Sequence, residues 1–138
     1  MSDNSSSLIM VDVKCSCKGD NLDKLLQPNI LTILATRTLH GYMIIQELDN
    51  KNLFFGEKVD STGIYRTLRS MEDRGLVCSD WDLDGTGAAR KIYHITDTGR
   101  ECLTHWIKTL ESYQQTIAAI IADAKMAQEL SVMSCDEV

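Results

Sequence analysis

The 138-residue chain has no apolar run approaching the length of a membrane-spanning helix, so no membrane partner is expected. It also lacks the pattern of an export signal: Met1 to Ser7 is polar, and the apolar stretch Leu8 to Val13 is short and interrupted by Asp12. A cytoplasmic location is therefore expected. No serine, histidine and aspartate constellation, phosphate loop or paired-carboxylate motif stands out, which argues against an enzyme. There are no internal repeats. Positive charge is not in excess either: the formal net charge is -6, which excludes a protein whose whole surface attracts nucleic acid. The five cysteines are odd in number. Without an export signal they read as reduced thiols, metal ligands or redox sensors rather than as a disulfide framework. A hydrophobic content of 43% suits one domain with an appendage, able to build a modest core and to benefit from dimerisation.

The strongest signals lie between Asp60 and Ile95. Asp60 or Ser61 can cap a helix in which Ile64, Leu68 and Met71 recur at helical spacing, while Tyr65, Arg66 and Arg69 fall away from that stripe. Gly75, just after Arg74, stands where a left-handed C-cap is expected. Leu76, Val77 and Trp81, then Ile92, Tyr93 and Ile95, form two strand-like runs around Asp84-Gly85-Thr86-Gly87. Upstream, Ile30 to Arg37 reads as a compact apolar helix, and Leu39-His40-Gly41-Tyr42 opens a second through Met43, Ile44, Ile45 and Leu48. The expected fold is mainly α with a small β-hairpin: a winged helix-turn-helix followed by a long C-terminal dimerisation helix. Charge is distributed to match. Lys58, Arg66, Arg69, Arg74, Arg90 and Lys91 balance Asp60, Glu72, Asp73, Asp80, Asp82 and Asp84, so this segment is neutral while the rest of the chain carries the whole deficit.

Three phrases, LHGYMIIQELDN, STGIYRTLRSMEDRGLV and ARKIYHITDTGRECL, follow one another at separations that resemble the winged-helix regulators of the PadR family. The likeness runs from about Ile30 to Leu110. It implies a DNA-binding transcription regulator, and in the short form with a single C-terminal helix it implies a homodimer. It adds weight to Tyr65, because the family repeats a tyrosine between the cap and the next basic or polar residue; at Arg66 many relatives carry proline or another residue.

The chain is expected to divide into an N-terminal arm (1–19) with Cys15-Ser16-Cys17, a winged domain (20–95), and a C-terminal helix with its tail (96–138). A short lead-in helix is expected from Asp20 to Leu26, with Pro28 resetting the chain after it. Thr96 is the expected N-cap of the last helix, with Asp97 in its first turn complementing the helix dipole. Leu103, Trp106, Leu110, Tyr113, Ile117, Ile120, Ala124 and Ala127 alternate spacings of three and four, a seam that needs a partner. The simplest partner is the same helix of a second copy.

The candidate DNA-binding residues are Ser61, Thr62, Tyr65, Arg66 and Arg69 on the capped helix and Arg90 and Lys91 on the wing. Hydroxyls and a helix N-terminus suit phosphate, arginine pairs with guanine, and wing cations follow the backbone or enter the minor groove. Each has a plainer reading. Tyr65 can be a half-buried core aromatic, Arg66 and Arg69 can pair with Glu72 or Asp73, and Arg90 and Lys91 can be ordinary exposed strand charges. Taken together they favour double-stranded DNA as the partner, bound as a palindromic operator by a homodimeric repressor.

No cofactor can be named. Cys15, Cys17, Cys102 and His105 are candidates for a soft metal ion or thiol redox chemistry, since Cys102 and His105 lie three apart on one helix face. Against this, Cys102 can be a small hydrophobe near the seam, Cys78 is expected to pack in a strand, and Cys135 lies in the tail. Trp106 is a candidate for a small-molecule effector pocket, because some family members bind planar aromatic compounds between paired domains; it can equally be seam packing. Phe54 and Phe55 are expected to close the core, and the His40 imidazole to cap or bond backbone at the start of the second helix. The alternative function is a winged-helix protein-interaction or metal-binding module that does not bind DNA, which the acidic charge favours.

Overall fold

The computed structural model describes residues 25–51, 60–83, 87 and 89–130. Among them the chain forms α1 (Leu26–Leu34), β1 (Leu39–His40), α2 (Gly41–Asn50), α3 (Ser61–Asp73), β2 (Val77–Asp82), β3 (Arg90–Ile95) and α4 (Asp97–Glu129). The chain falls into two compact units, Met1–Leu103 and Thr104–Val138.

In the first unit, Ile30 and Leu31 of α1, Ile44 and Leu48 of α2, Ile64, Leu68 and Met71 of α3 and Val77 of β2 are almost completely buried. Burying each such side chain contributes about 1.5–3 kcal/mol. Because α1 buries Leu26, Pro28, Ile30, Leu31, Ile33 and Leu34, it is covered on most of its circumference. Its boundaries differ from those expected: the helix begins ahead of Pro28 and ends at Leu34. Pro28 therefore does not interrupt the chain. It occupies the first turn, where backbone N–H groups have no intrahelical acceptor and a missing donor costs nothing. Residues 20–24 of the expected lead-in helix lie outside the described residues.

A three-stranded antiparallel sheet stands in place of a simple hairpin, with order β1-β3-β2. Leu39 and His40, expected to open a helix, pair instead with Tyr93 and Ile92 of β3, and α2 starts at Gly41. Two residues are too few to show strand periodicity, so only the distant pairing partner makes them a strand. Along the wing, the β2–β3 register runs from Val77↔Ile95 to Asp82↔Arg90.

Local chemistry fixes both ends of α3. Asp60 accepts a hydrogen bond from Thr62 N at 3.2 Å, which makes it, and not Ser61, the N-cap. At the other end Leu76 N donates to Met71 O (2.9 Å) and Gly75 N to Glu72 O (3.0 Å), with Gly75 at φ 77°. That is the Schellman arrangement, in which glycine supplies the left-handed residue. Next, Thr96 joins β3 to α4. Its Oγ1 accepts from Gly99 N at 2.9 Å and lies 2.6 Å from Gly75 O and 3.0 Å from Leu76 O.

In the second unit α4 continues to Glu129, and every residue from Glu111 to Leu130 is exposed. Tyr113, Ile117 and Ile120 of the expected seam are at least half exposed, as are Ile107, Met126 and Leu130. No helix among the described residues is long and apolar enough to cross a membrane.

Candidate nucleic-acid interface

Because Ile64, Leu68 and Met71 face the core, the opposite side of α3 is turned outward, and Ser61, Thr62, Tyr65, Arg66 and Arg69 are all exposed. Thr62, Tyr65, Arg66 and Arg69 border one shallow depression. Tyr65 has two roles. Its ring lies against Gly41, where an added Cβ would come within 2.6 Å of Tyr65 Cε1, yet the residue stays 45% exposed. The glycine of the Leu-His-Gly-Tyr phrase is thus the space in which the tyrosine rests. Neither Arg66 nor Arg69 pairs with Glu72 or Asp73; among the described residues Arg37 pairs with Glu47 (2.5 Å), and His40 and His94 contact Asp82 (2.9 Å) and Asp80 (3.3 Å). Glu72 instead accepts from Ser79 Oγ at 2.7 Å.

Between α3, the wing and the start of α2 lies a cleft of about 450 Å³. Arg69 and Glu72 line it from α3, Trp81 from β2, Arg90, Lys91 and Tyr93 from β3, and His40 and Tyr42 from the β1–α2 corner. Arg69 of α3 thus shares one cavity with the adjacent wing cations Arg90 and Lys91. Two cations sit over aromatic rings: Arg90 is 5.5 Å from the Tyr42 centroid and Lys91 5.6 Å from that of Trp81. Such pairs orient a cation while leaving its outer face to solvent or a ligand. At the cleft floor Tyr93 is buried, and burial pushes its phenol above the ordinary value of 10.0. The charges of Glu72 and Tyr65 push the same way, while Arg69 opposes them.

His40 departs from its expected role. It makes no side-chain cap bond to α2; its Nε2 lies 2.9 Å from Asp82 Oδ2 and its ring stacks on Tyr42. The cause is β1: pairing with β3 turns the residue toward the wing rather than along the helix. Sequence reading missed His40, Tyr42, Trp81 and Glu72 as cleft residues. Tyr42 stood in a quoted phrase, but only the fold brings that phrase to the wing.

Cys15, Cys17 and Cys135 lie outside the described residues, as do Phe54, Phe55, Lys58 and the turn residues Asp84, Gly85 and Thr86. Cys102 is half-buried with its Sγ 4.0 Å from Gln27 Oε1, while in the second unit His105 is exposed and Trp106 half-buried. Among the described residues no group of three or more His, Cys, Asp or Glu side chains is placed to hold a metal ion. Cys78 is in a strand, as expected, but exposed rather than packed. Val77 takes the inward position, and the two-residue period of a strand sends its neighbour outward.

Comparison with known proteins places this geometry. The family described as "Transcriptional regulator PadR-like family" matches residues 30–105, more than half of the chain. Rv1176c of Mycobacterium tuberculosis is 33% identical over 78 residues, covering 56% of this chain and 41% of its own length. TA0346 of Thermoplasma acidophilum is a structural neighbour with a TM-score of 0.65 and 28% identity, over 73% of this chain and 94% of that one. Bacillus subtilis PadR, solved in complex with operator DNA, has a TM-score of 0.54 and 28% identity, over 60% of this chain and 45% of that one. With that sequence match over the helices, the wing and the cleft they enclose, the chain belongs to the PadR-like family of transcriptional regulators.

Proposed function

We propose that the chain is a DNA-binding repressor that acts as a homodimer on a palindromic operator in the cytoplasm. The observation that carries this reading is the cleft in which Arg69 of α3 and Arg90 and Lys91 of the wing face one space. A helix of 13 residues, about 20 Å long, fits a major groove about 12 Å wide, and Ser61, Thr62, Tyr65, Arg66 and Arg69 are the residues that reach it. Arg90 and Lys91 then lie against the backbone or the minor groove. The Bacillus subtilis relative captured on operator DNA supports the same use of the fold here.

The exposed apolar residues of α4, from Tyr113 to Leu130, suit a second copy of the same helix, which sets the two α3 helices on half-sites about 34 Å apart. The division into an arm (1–19), a winged domain (20–95) and a dimerisation helix (96–138) belongs to this proposal. So does an effector, whether thiol oxidation or a metal at Cys15, Cys17, Cys102 and His105, or a small molecule near Trp106.

Charge reversal tests the DNA reading. Arg69→Glu and Lys91→Glu each abolish a mobility shift of DNA from the chain's own upstream region while the dimer persists in sedimentation. Comparing reduced, oxidised and metal-loaded protein in the same assay tests the effector. A wild-type protein that shifts no duplex at low salt favours the interaction module to which the net charge of -6 points.

A further inference from the structure

Three side-chain contacts and one strand pairing link residues of four elements in a ring at the base of the wing. Asp82 ends β2, opposite Arg90 at the start of β3. Arg90 Nη1 donates to the Tyr42 hydroxyl at 3.2 Å, and Tyr42, in the first turn of α2, stacks on His40 with centroids 5.7 Å apart and planes inclined by 24°. His40, at the end of β1, returns to Asp82 through the 2.9 Å contact between Nε2 and Oδ2. The ring bridges 42 residues at one link and 48 at another. Its inner members are the more covered: the His40 and Asp82 side chains are 20% and 27% exposed, whereas Arg90 and Tyr42 are exposed residues.

Position makes this arrangement informative. The β2–β3 register ends at Asp82↔Arg90, so the first wing cation sits where the sheet ceases to hold it. An unrestrained arginine has many rotamers, and a fixed one loses less freedom on meeting a phosphate or base edge. A carboxylate at Asp82, on a face that meets phosphates, opposes binding by its charge alone. We propose that His40 and Asp82 are positioning residues: through Tyr42 they hold Arg90 in the orientation that meets DNA, and neither touches DNA itself. This rests on the DNA-binding reading above, and it assigns the histidine and tyrosine of the Leu-His-Gly-Tyr phrase a role in aiming the wing.

The sign of one substitution separates positioning from simple charge. Asp82→Ala removes a negative charge from the DNA face, so electrostatics alone makes binding tighter, whereas loss of the ring makes it weaker by about fivefold, the worth of one hydrogen bond. Asp82→Asn keeps a group that can donate to or accept from either imidazole tautomer while removing the same charge, and binds at least as tightly as wild type. His40→Ala matches Asp82→Ala, and the double variant is no worse than either single. Binding is measured on a duplex spanning the region upstream of the chain's own gene and on a random duplex of equal length. In the free protein, NMR of Asp82→Ala shows the Arg90 Nε–H and Tyr42 ring resonances displaced, with the Ile44 and Leu48 methyls unchanged as a check of the fold. An Asp82→Ala protein that binds as tightly as wild type or tighter, or whose Arg90 and Tyr42 signals do not move, overturns the proposal. A wild-type protein that shifts neither duplex at low salt overturns the DNA reading and this use of the ring with it, whatever the NMR shows.

Discussion

Replacing Gly99 by alanine tests how β3, β2 and α4 are joined, because two physical arguments predict opposite signs. Gly99 lies in the first turn of α4, and an exposed helical glycine replaced by alanine gains about 1 kcal/mol from reduced chain entropy and higher helix propensity. Here the added Cβ falls on the Leu76 carbonyl oxygen and within 2.8 Å of Ile95 Cγ1. The oxygen cannot yield freely: it accepts from Thr96 N at 3.1 Å and lies 3.0 Å from Thr96 Oγ1. Relief requires α4 to lift from the start of β2, at an overpacking cost of about 1–3 kcal/mol. Weakening the two Thr96 interactions adds about 1 kcal/mol each. After subtracting the propensity gain, the variant loses about 2–4 kcal/mol, a large part of a typical domain's stability. Urea unfolding followed by circular dichroism, at fixed protomer concentration so that association does not shift the midpoint, measures it. Stability equal to wild type, or higher by about 1 kcal/mol, refutes the close approach of α4 to the sheet.

Gly75→Ala, at φ 77°, is expected to cost about 1 kcal/mol in the same assay, and Gly75→Asn less, since asparagine tolerates the left-handed region. Tyr93 gives an alkaline signature. Its folded-state phenol is raised above 10.0 by burial, so above that pH the unfolded chain loses its proton first and stability falls until the folded value is passed. Tyr93→Phe, compared with wild type between pH 9 and 11, lacks this limb; a parallel decline in both proteins contradicts the assignment. Ile120→Asp, on the exposed run of α4, is expected to shift the protein to monomer in analytical ultracentrifugation while leaving the winged unit folded; an unchanged mass rules out that face as the dimer contact.

Sequence spacing was enough to read α3. Its buried stripe of Ile64, Leu68 and Met71, a cap at Asp60 or Ser61 and its stop at Gly75 are interactions among near neighbours, and helical geometry alone puts Tyr65, Arg66 and Arg69 on the other side; the structure chose Asp60 as the cap. Thr96 was legible for the same reason, because its bond to Gly99 N spans three residues. Pro28 misled because a proline that ends one helix looks the same in sequence as one in the first turn of another. Cys78 misled as well, although alternation against Val77 already implied an outward thiol.

By itself, then, the sequence determined the α3 helix and its stop, the start of α4 at Thr96, the two wing strands and the family, since each follows from periodicity or from phrases of a dozen or so residues. Tertiary structure alone decided that Leu39 and His40 form a strand, that Gly41 makes room for Tyr65, and that Arg69, Arg90 and Lys91 share a cleft with Tyr42 and Trp81. Those facts depend on partners as far apart in the chain as Leu39 and Tyr93, brought together by burial of a common core. No local spacing encodes which distant side chain will stand opposite.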